Sequence, residues 1–173
     1  MREPHLELYV HLIWTTWDRQ PVLTPELLAR AFACMHRDCA AMKVEMIAAG
    51  GTADHVHVLV RIPATVSVAQ IAKQLKGSSS HLLNHECGLC GFRWQGAYAA
   101  FSVSRSLGRT VREYILTQQK RHSNGELERA MEVAWAESAP PPHAPQSAEA
   151  DFAHLQPRFQ PPGKCDRREA KGS

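Results

Sequence analysis

An α+β sandwich, one antiparallel sheet with helices against it, is the fold class this sequence predicts. Three observations predict it. Segments rich in β-branched and aromatic residues and segments of helical period follow in the order βαββαβ, with one more helix after them. Only Thr52 and Ala53 separate the second and third strands, which therefore form a hairpin. The third strand, "DHVHVLVRI", has two unlike faces: Val56, Val58 and Val60 on one, His55, His57 and Leu59 on the other.

Each element has its own justification. Residues 6–17, "LELYVHLIWTTW", mix alternation with β-branched and aromatic residues and read as the first strand. Thr24 is an N-cap with Pro25 at the first helical position and Glu26 in the first turn, which starts a helix over about 25–42. "VEMIAAGG" is the second strand, closed by Gly50 and Gly51, and Pro63 ends the third. Ser67 caps the second helix, "VAQIAKQLKGSSSHLLNH", whose middle Gly77 weakens. "FRWQGAYAAFSVS" reads as the fourth strand, and Gly108 opens the third helix, "RTVREYILTQQKRH". A short helix over 126–137 completes a domain spanning residues 1–137. Residues 138–173 are Pro- and Ala-rich without a period and are expected to be a disordered tail. This order fits a ferredoxin-like (RRM-like) βαββαβ sandwich, with the third strand beside the first in mid-sheet.

Composition narrows the function classes. The chain has 173 residues, 44% hydrophobic and 21% charged, enough for one domain with a core. No apolar run approaches the roughly 20 residues of a membrane helix, and "MREPHLELYV" lacks a secretion-signal pattern. The five cysteines then read as reduced thiols in a cytoplasmic protein. Charge is uneven. Residues 61–121 hold nine Lys/Arg against two acids, whereas 1–60 and 122–173 each carry a balance of −2. A basic block between acidic ones suggests a polyanion partner for mid-chain, although a solvated face reads the same way.

The histidines raise the sharper question. Same-face residues of a strand lie about 6.6 Å apart, so His55 and His57 can tilt onto one metal ion, or simply bond to neighbours. On the third helix Tyr114 and Gln118 are four residues apart and share a face. Tyrosine can act as a covalent nucleophile, and an amide oxygen suits Mg²⁺ or Mn²⁺, while a packed amphipathic helix would use the same residues. Lys73 and Lys76 on the second helix and Arg105, Arg109 and Arg112 around the third are candidate phosphate contacts. Trp94, Tyr98 and Phe101 could stack on unpaired bases, although alternating aromatics in a strand are more often core. A competing metal site lies in "HLLNHECGLC", where His81, His85, Cys87 and Cys90 could hold structural zinc.

Across residues 8–122 the sequence resembles the single-tyrosine HUH transposases of bacterial insertion sequences, including the REP-associated tyrosine transposases. "YVHLIWTTWDRQPVL" looks like the family's opening strand and turn, and "ADHVHVLV" like its His-hydrophobic-His motif. "SVAQIAKQLKGSSS", the Trp-Gln strand "FRWQGAYAAFSVS" and the nucleophile helix "VREYILTQQKRH" follow in order. The resemblance implies a DNA transposase that cuts and rejoins single-stranded DNA at hairpin-bearing ends, without ATP. It implies Tyr114 as nucleophile, linked to a 5′ phosphate, and Mg²⁺ or Mn²⁺ on His55, His57 and Gln118. It also implies a homodimer in which the tyrosine helix can complete the partner's site. Lys120, Arg121 and His122 depart from the paired histidines of many relatives. His122 is a remote candidate for the base that takes the phenol proton, which free tyrosine holds to a pKa of about 10. The alternatives are a hairpin-binding relative that no longer transposes and a zinc-containing nucleic-acid-binding module.

Overall fold

The computed structural model describes residues 5–123. The expected helix at 126–137, the domain's end and the tail lie outside them. The elements are β1 (Leu8–Thr15), a short 3-10 turn (Trp17–Arg19), α1 (Pro25–Ala41), β2 (Glu45–Gly51), β3 (His55–Ile62), α2 (Val68–His85), β4 (Ala99–Val103) and α3 (Gly108–Ser123). All strand pairs are antiparallel, in the order β2-β3-β1-β4, so β3 lies beside β1 in mid-sheet as the ferredoxin-like reading requires.

Helix starts follow the local chemistry. Thr24 accepts a hydrogen bond from the Leu27 amide, with Pro25 beginning α1. Ser67 and Gln70 form a capping box at α2. Gly77 does not interrupt α2, because the i→i−4 ladder continues through it and its side is open to solvent.

The two sheet faces carry separate clusters. Val10, Leu12 and Trp14 of β1 and Val56, Val58 and Val60 of β3 form the main core with Leu28, Ala31 and Met35 of α1 and Ile71, Leu75 and Leu82 of α2. On the other face Leu59 packs with Ala48 of β2 and Val111, Tyr114 and Ile115 of α3. A bulge between Met46 and Ala48 lets both Ile47 and Ala48 meet α3. Gly50 lets the helix approach closely. A Cβ built there would stand 2.1 Å from the Ile115 carbonyl oxygen, a distance no real side chain tolerates.

The fourth strand is shorter than the sequence suggests. Residues 92–98 are mostly unpaired, with one bridge between Thr16 and Trp94. Side chains of α2 take the backbone groups a strand would have used. Asn84 bonds both the amide and the carbonyl of Phe92 (2.9 and 2.8 Å). The Lys76 ammonium gathers the carbonyls of Gln95, Gly96 and Ala97 (2.6, 2.7 and 3.1 Å). Before the regular ladder with β1 begins at Ala99, only the Gln95 amide bonds to β1, at the Thr15 carbonyl (2.9 Å).

Candidate active site

Alternation along β3 points His55 and His57 towards the face that α3 covers. Helical spacing on α3 brings Tyr114 and Gln118 down onto them. The Tyr114 ring centroid lies 5.9 Å from that of His57. The Gln118 amide nitrogen lies 3.1 Å from His55 Nε2. All four side chains are buried, with Gln118 and His57 each 1% exposed. The four residues singled out in the sequence therefore meet, and they meet within one chain.

Around this set is a ring of supporting groups that the sequence reading missed. Asp54 Oδ1 lies 2.7 Å from His55 Nδ1. Thr52 Oγ1 donates to the same carboxylate oxygen (2.8 Å), and Arg19 pairs with Asp54 Oδ2 (2.9 Å). Burial pushes the Asp54 carboxyl up, but the hydrogen bonds from His55, Thr52 and Arg19 outweigh it and hold it well below the usual carboxylate range. His57 Nδ1 meets His11 Nε2 at 2.9 Å. Burial lowers the His11 pKa to about 4, so the ring is neutral near neutral pH. A sequence signal for Asp54 existed in its position directly before the motif. For His11 the only signal was a polar residue amid the apolar run of β1.

The donor set suits a divalent ion. A carboxylate on His55 Nδ1 keeps the proton there and presents Nε2 as a lone-pair donor, the usual backing of a metal-binding histidine. Gln118 Oε1 is buried and has no hydrogen-bond partner among the described residues, a costly state for an amide oxygen. In this arrangement the Gln118 amide nitrogen faces His55 Nε2, so turning the amide about its last bond is what would bring that oxygen, together with Nε2, onto a shared cation. Among the described residues no group of three or more His, Cys, Asp or Glu is placed to hold a metal; a site built on the two histidines would need a donor of another type, for which Gln118 is the neighbouring candidate.

The rival zinc set is not assembled. His81 and His85 face each other on α2, with ring centroids 4.5 Å apart, but Cys87 packs against the main core. Cys34, Cys39 and Cys87 are thiols, and Cys165 lies outside the described residues.

The basic candidates divide between the two faces. Arg105, Arg109 and Arg112 line a cleft of about 400 Å³ with Tyr9 and Arg61, on the α3 side of the sheet. Arg105 pairs with the half-buried Glu7 (3.4 Å) and Arg109 with the exposed Glu113 (3.7 Å). Lys73 is exposed on α2, in the layer behind the sheet, and Lys76 is engaged with its three carbonyls. Trp94 is core, its indole nitrogen bonded to Ser79, and Tyr98 packs against the same cluster. Phe101 alone of the three aromatics is exposed, 6.4 Å from the His11 ring.

Comparison with known proteins points one way. The family described as "Transposase IS200 like" matches residues 5–118. Transposases for insertion sequence element IS200 from Salmonella typhimurium and Salmonella typhi are each 25% identical over 122 residues, covering 67% of this chain and 80% of theirs. Among solved structures, one described as a candidate transposase of Deinococcus radiodurans R1 is 25% identical, covers 68% of this chain and 95% of its own, and superposes with a TM-score of 0.55. A REP-associated tyrosine transposase bound to a REP hairpin shares the fold at 18% identity and a TM-score of 0.50, over 73% of this chain and 74% of its own.

Proposed function

The chain belongs to the IS200-like transposase family, and from that premise we propose that it cleaves and rejoins single-stranded DNA at hairpin-bearing ends through a 5′-phosphotyrosine at Tyr114. The observation that carries this reading is the meeting of one helix face with one strand face: Tyr114 and Gln118 of α3 lie directly over His57 and His55 of β3.

His55, His57 and Gln118 are the residues that would hold Mg²⁺ or Mn²⁺. Such an ion, when bound, draws charge from a non-bridging phosphate oxygen and makes phosphorus a better electrophile. The protein's own residues supply the rest. Asp54 orients His55, and the packing of Ile115 against the sheet fixes where α3, and hence Tyr114, stands. The phenol oxygen forms a bond to phosphorus while the bond from phosphorus to the 3′ oxygen breaks. The phenol gives up its proton and the departing oxygen takes one up as a 3′ hydroxyl. One phosphodiester replaces another, so a second 3′ hydroxyl can reverse the step and join strands with no outside energy source.

Arg105, Arg109 and Arg112 are suited to phosphates of the strand entering on the α3 side. Phe101 is the aromatic placed to stack on an unpaired base. The hairpin as partner is supported by the REP-associated relative, whose structure contains one. No described helix is long and apolar enough to cross a membrane. An activity on DNA fits a chain working at the bacterial nucleoid in the cytoplasm. One chain holds the whole catalytic set; a homodimer that exchanges α3 would rebuild the same set from two chains.

The test is incubation of the full chain with Mn²⁺ and end-labelled single strands carrying subterminal hairpins. A label that migrates with the protein under denaturing conditions supports the reading. Cleavage without any covalent adduct contradicts it.

A further inference from the structure

We propose that His11 is a positioning residue for the metal-binding set: its Nε2 accepts the Nδ1 proton of His57 and so fixes His57 in the tautomer whose Nε2 can bind a divalent ion. The inference rests on the function proposed above and adds a residue to it.

The geometry is specific. His11 sits on β1, where its direct cross-strand partner is Leu59, while His57 is paired with Ile13. The two imidazoles therefore meet on the diagonal, a distance that long and aromatic side chains span. Nε2 of His11 and Nδ1 of His57 are 2.9 Å apart, and the ring planes differ by 30°. Both rings are buried, at 4% and 1% exposure. A neutral imidazole has one donor nitrogen and one acceptor. Where both rings are neutral, a single bond between them sets the tautomers of both. If His57 donates, its Nε2 carries a lone pair on the side away from His11. If His11 donates, His57 Nε2 carries a proton and cannot ligate.

The two ligand histidines are then backed in the same way by different elements. Asp54, in the β2–β3 turn, holds the Nδ1 proton of His55. His11, from the neighbouring strand, holds that of His57. Metal-binding histidines nearly always give their second N–H to such a partner, and removing it weakens metal binding by about 10–100-fold.

The experiment uses the purified full chain and two readouts. Nitrogen-15 imidazole NMR of the metal-free wild type, with His57→Gln for assignment, reads the tautomer directly. A proton on His57 Nδ1 is expected, and a proton on Nε2 overturns the proposal without any His11 variant having to fold. Titration with Mn²⁺, followed by the electron paramagnetic resonance of the free ion, compares wild type, His57→Ala, His11→Leu and His11→Gln. His11→Leu should bind Mn²⁺ about 10–100-fold more weakly, and His11→Gln, which keeps an acceptor, should lie closer to wild type. Binding by His11→Leu equal to wild type overturns the proposal and leaves the active-site reading standing. A wild type that binds no Mn²⁺, or a His57→Ala that binds as well as wild type, overturns both.

Discussion

Asp54 and His55 are neighbours in sequence and partners in space: the carboxylate oxygen lies 2.7 Å from the ring nitrogen Nδ1. Thr52 donates to the same carboxylate oxygen and Arg19 to the other. Asp54→Ala removes the acceptor that keeps the Nδ1 proton in place and should weaken Mn²⁺ binding about 10–100-fold. Isothermal titration of the variant checks this, and unchanged affinity would remove Asp54 from the site.

Gly50 is opposite His57 across the β2–β3 pair and beneath the Ile115 carbonyl. Because the obstructing atom is backbone, a new Cβ can be accommodated only by moving α3. Gly50→Ala should lower stability by ~1–3 kcal/mol. By displacing Tyr114 relative to the histidines it should slow adduct formation roughly 100-fold. Thermal unfolding and adduct kinetics measure the two effects; a variant that cleaves at the wild-type rate would show that α3 need not dock on β2.

Lys76 separates a structural role from a DNA-binding one. Its ammonium donates to three carbonyls of residues 95–97, and burial pushes its pKa below the ordinary value without removing those bonds. Lys76→Met should cost ~1.5–3 kcal/mol in a chemical-denaturation experiment. It should leave the salt dependence of DNA binding unchanged. Unaltered stability with a shallower salt slope would assign Lys76 to DNA instead.

Arg112, on α3, lines the cleft it shares with Arg105 and Arg109. If it neutralises one phosphate of a single strand, Arg112→Gln should reduce the slope of log affinity against log salt by about 0.7. Fluorescence anisotropy of a labelled hairpin substrate across a salt series measures it. An unchanged slope would place the strand elsewhere.

Much of this was legible in the chain. Period-two alternation gave β3 two faces, and i,i+4 spacing gave α3 one face, so the meeting of His55, His57, Tyr114 and Gln118 needed only the topology that element order supplied. What could not be read were the long-range substitutions of one hydrogen-bond partner for another. "FRWQGAY" has strand-forming residues, but Asn84 and Lys76 claim its backbone groups, and no local pattern announces that. His11 likewise reads as one polar residue in a strand, because its partner is 46 residues away. The division of basic residues was equally hidden: Lys73 and the three arginines form one block in the sequence but face opposite sides of the sheet.

The most direct measurement of the central claim is peptide mass spectrometry of the covalent adduct formed with Mn²⁺ and a hairpin-bearing single strand, run on wild type and Tyr114→Phe. The account predicts a nucleotide joined through its 5′ phosphate to Tyr114 in the wild type. It predicts no adduct in the variant, which should still shift the hairpin in a native gel. An adduct on another residue, or strand cleavage by Tyr114→Phe, would contradict it.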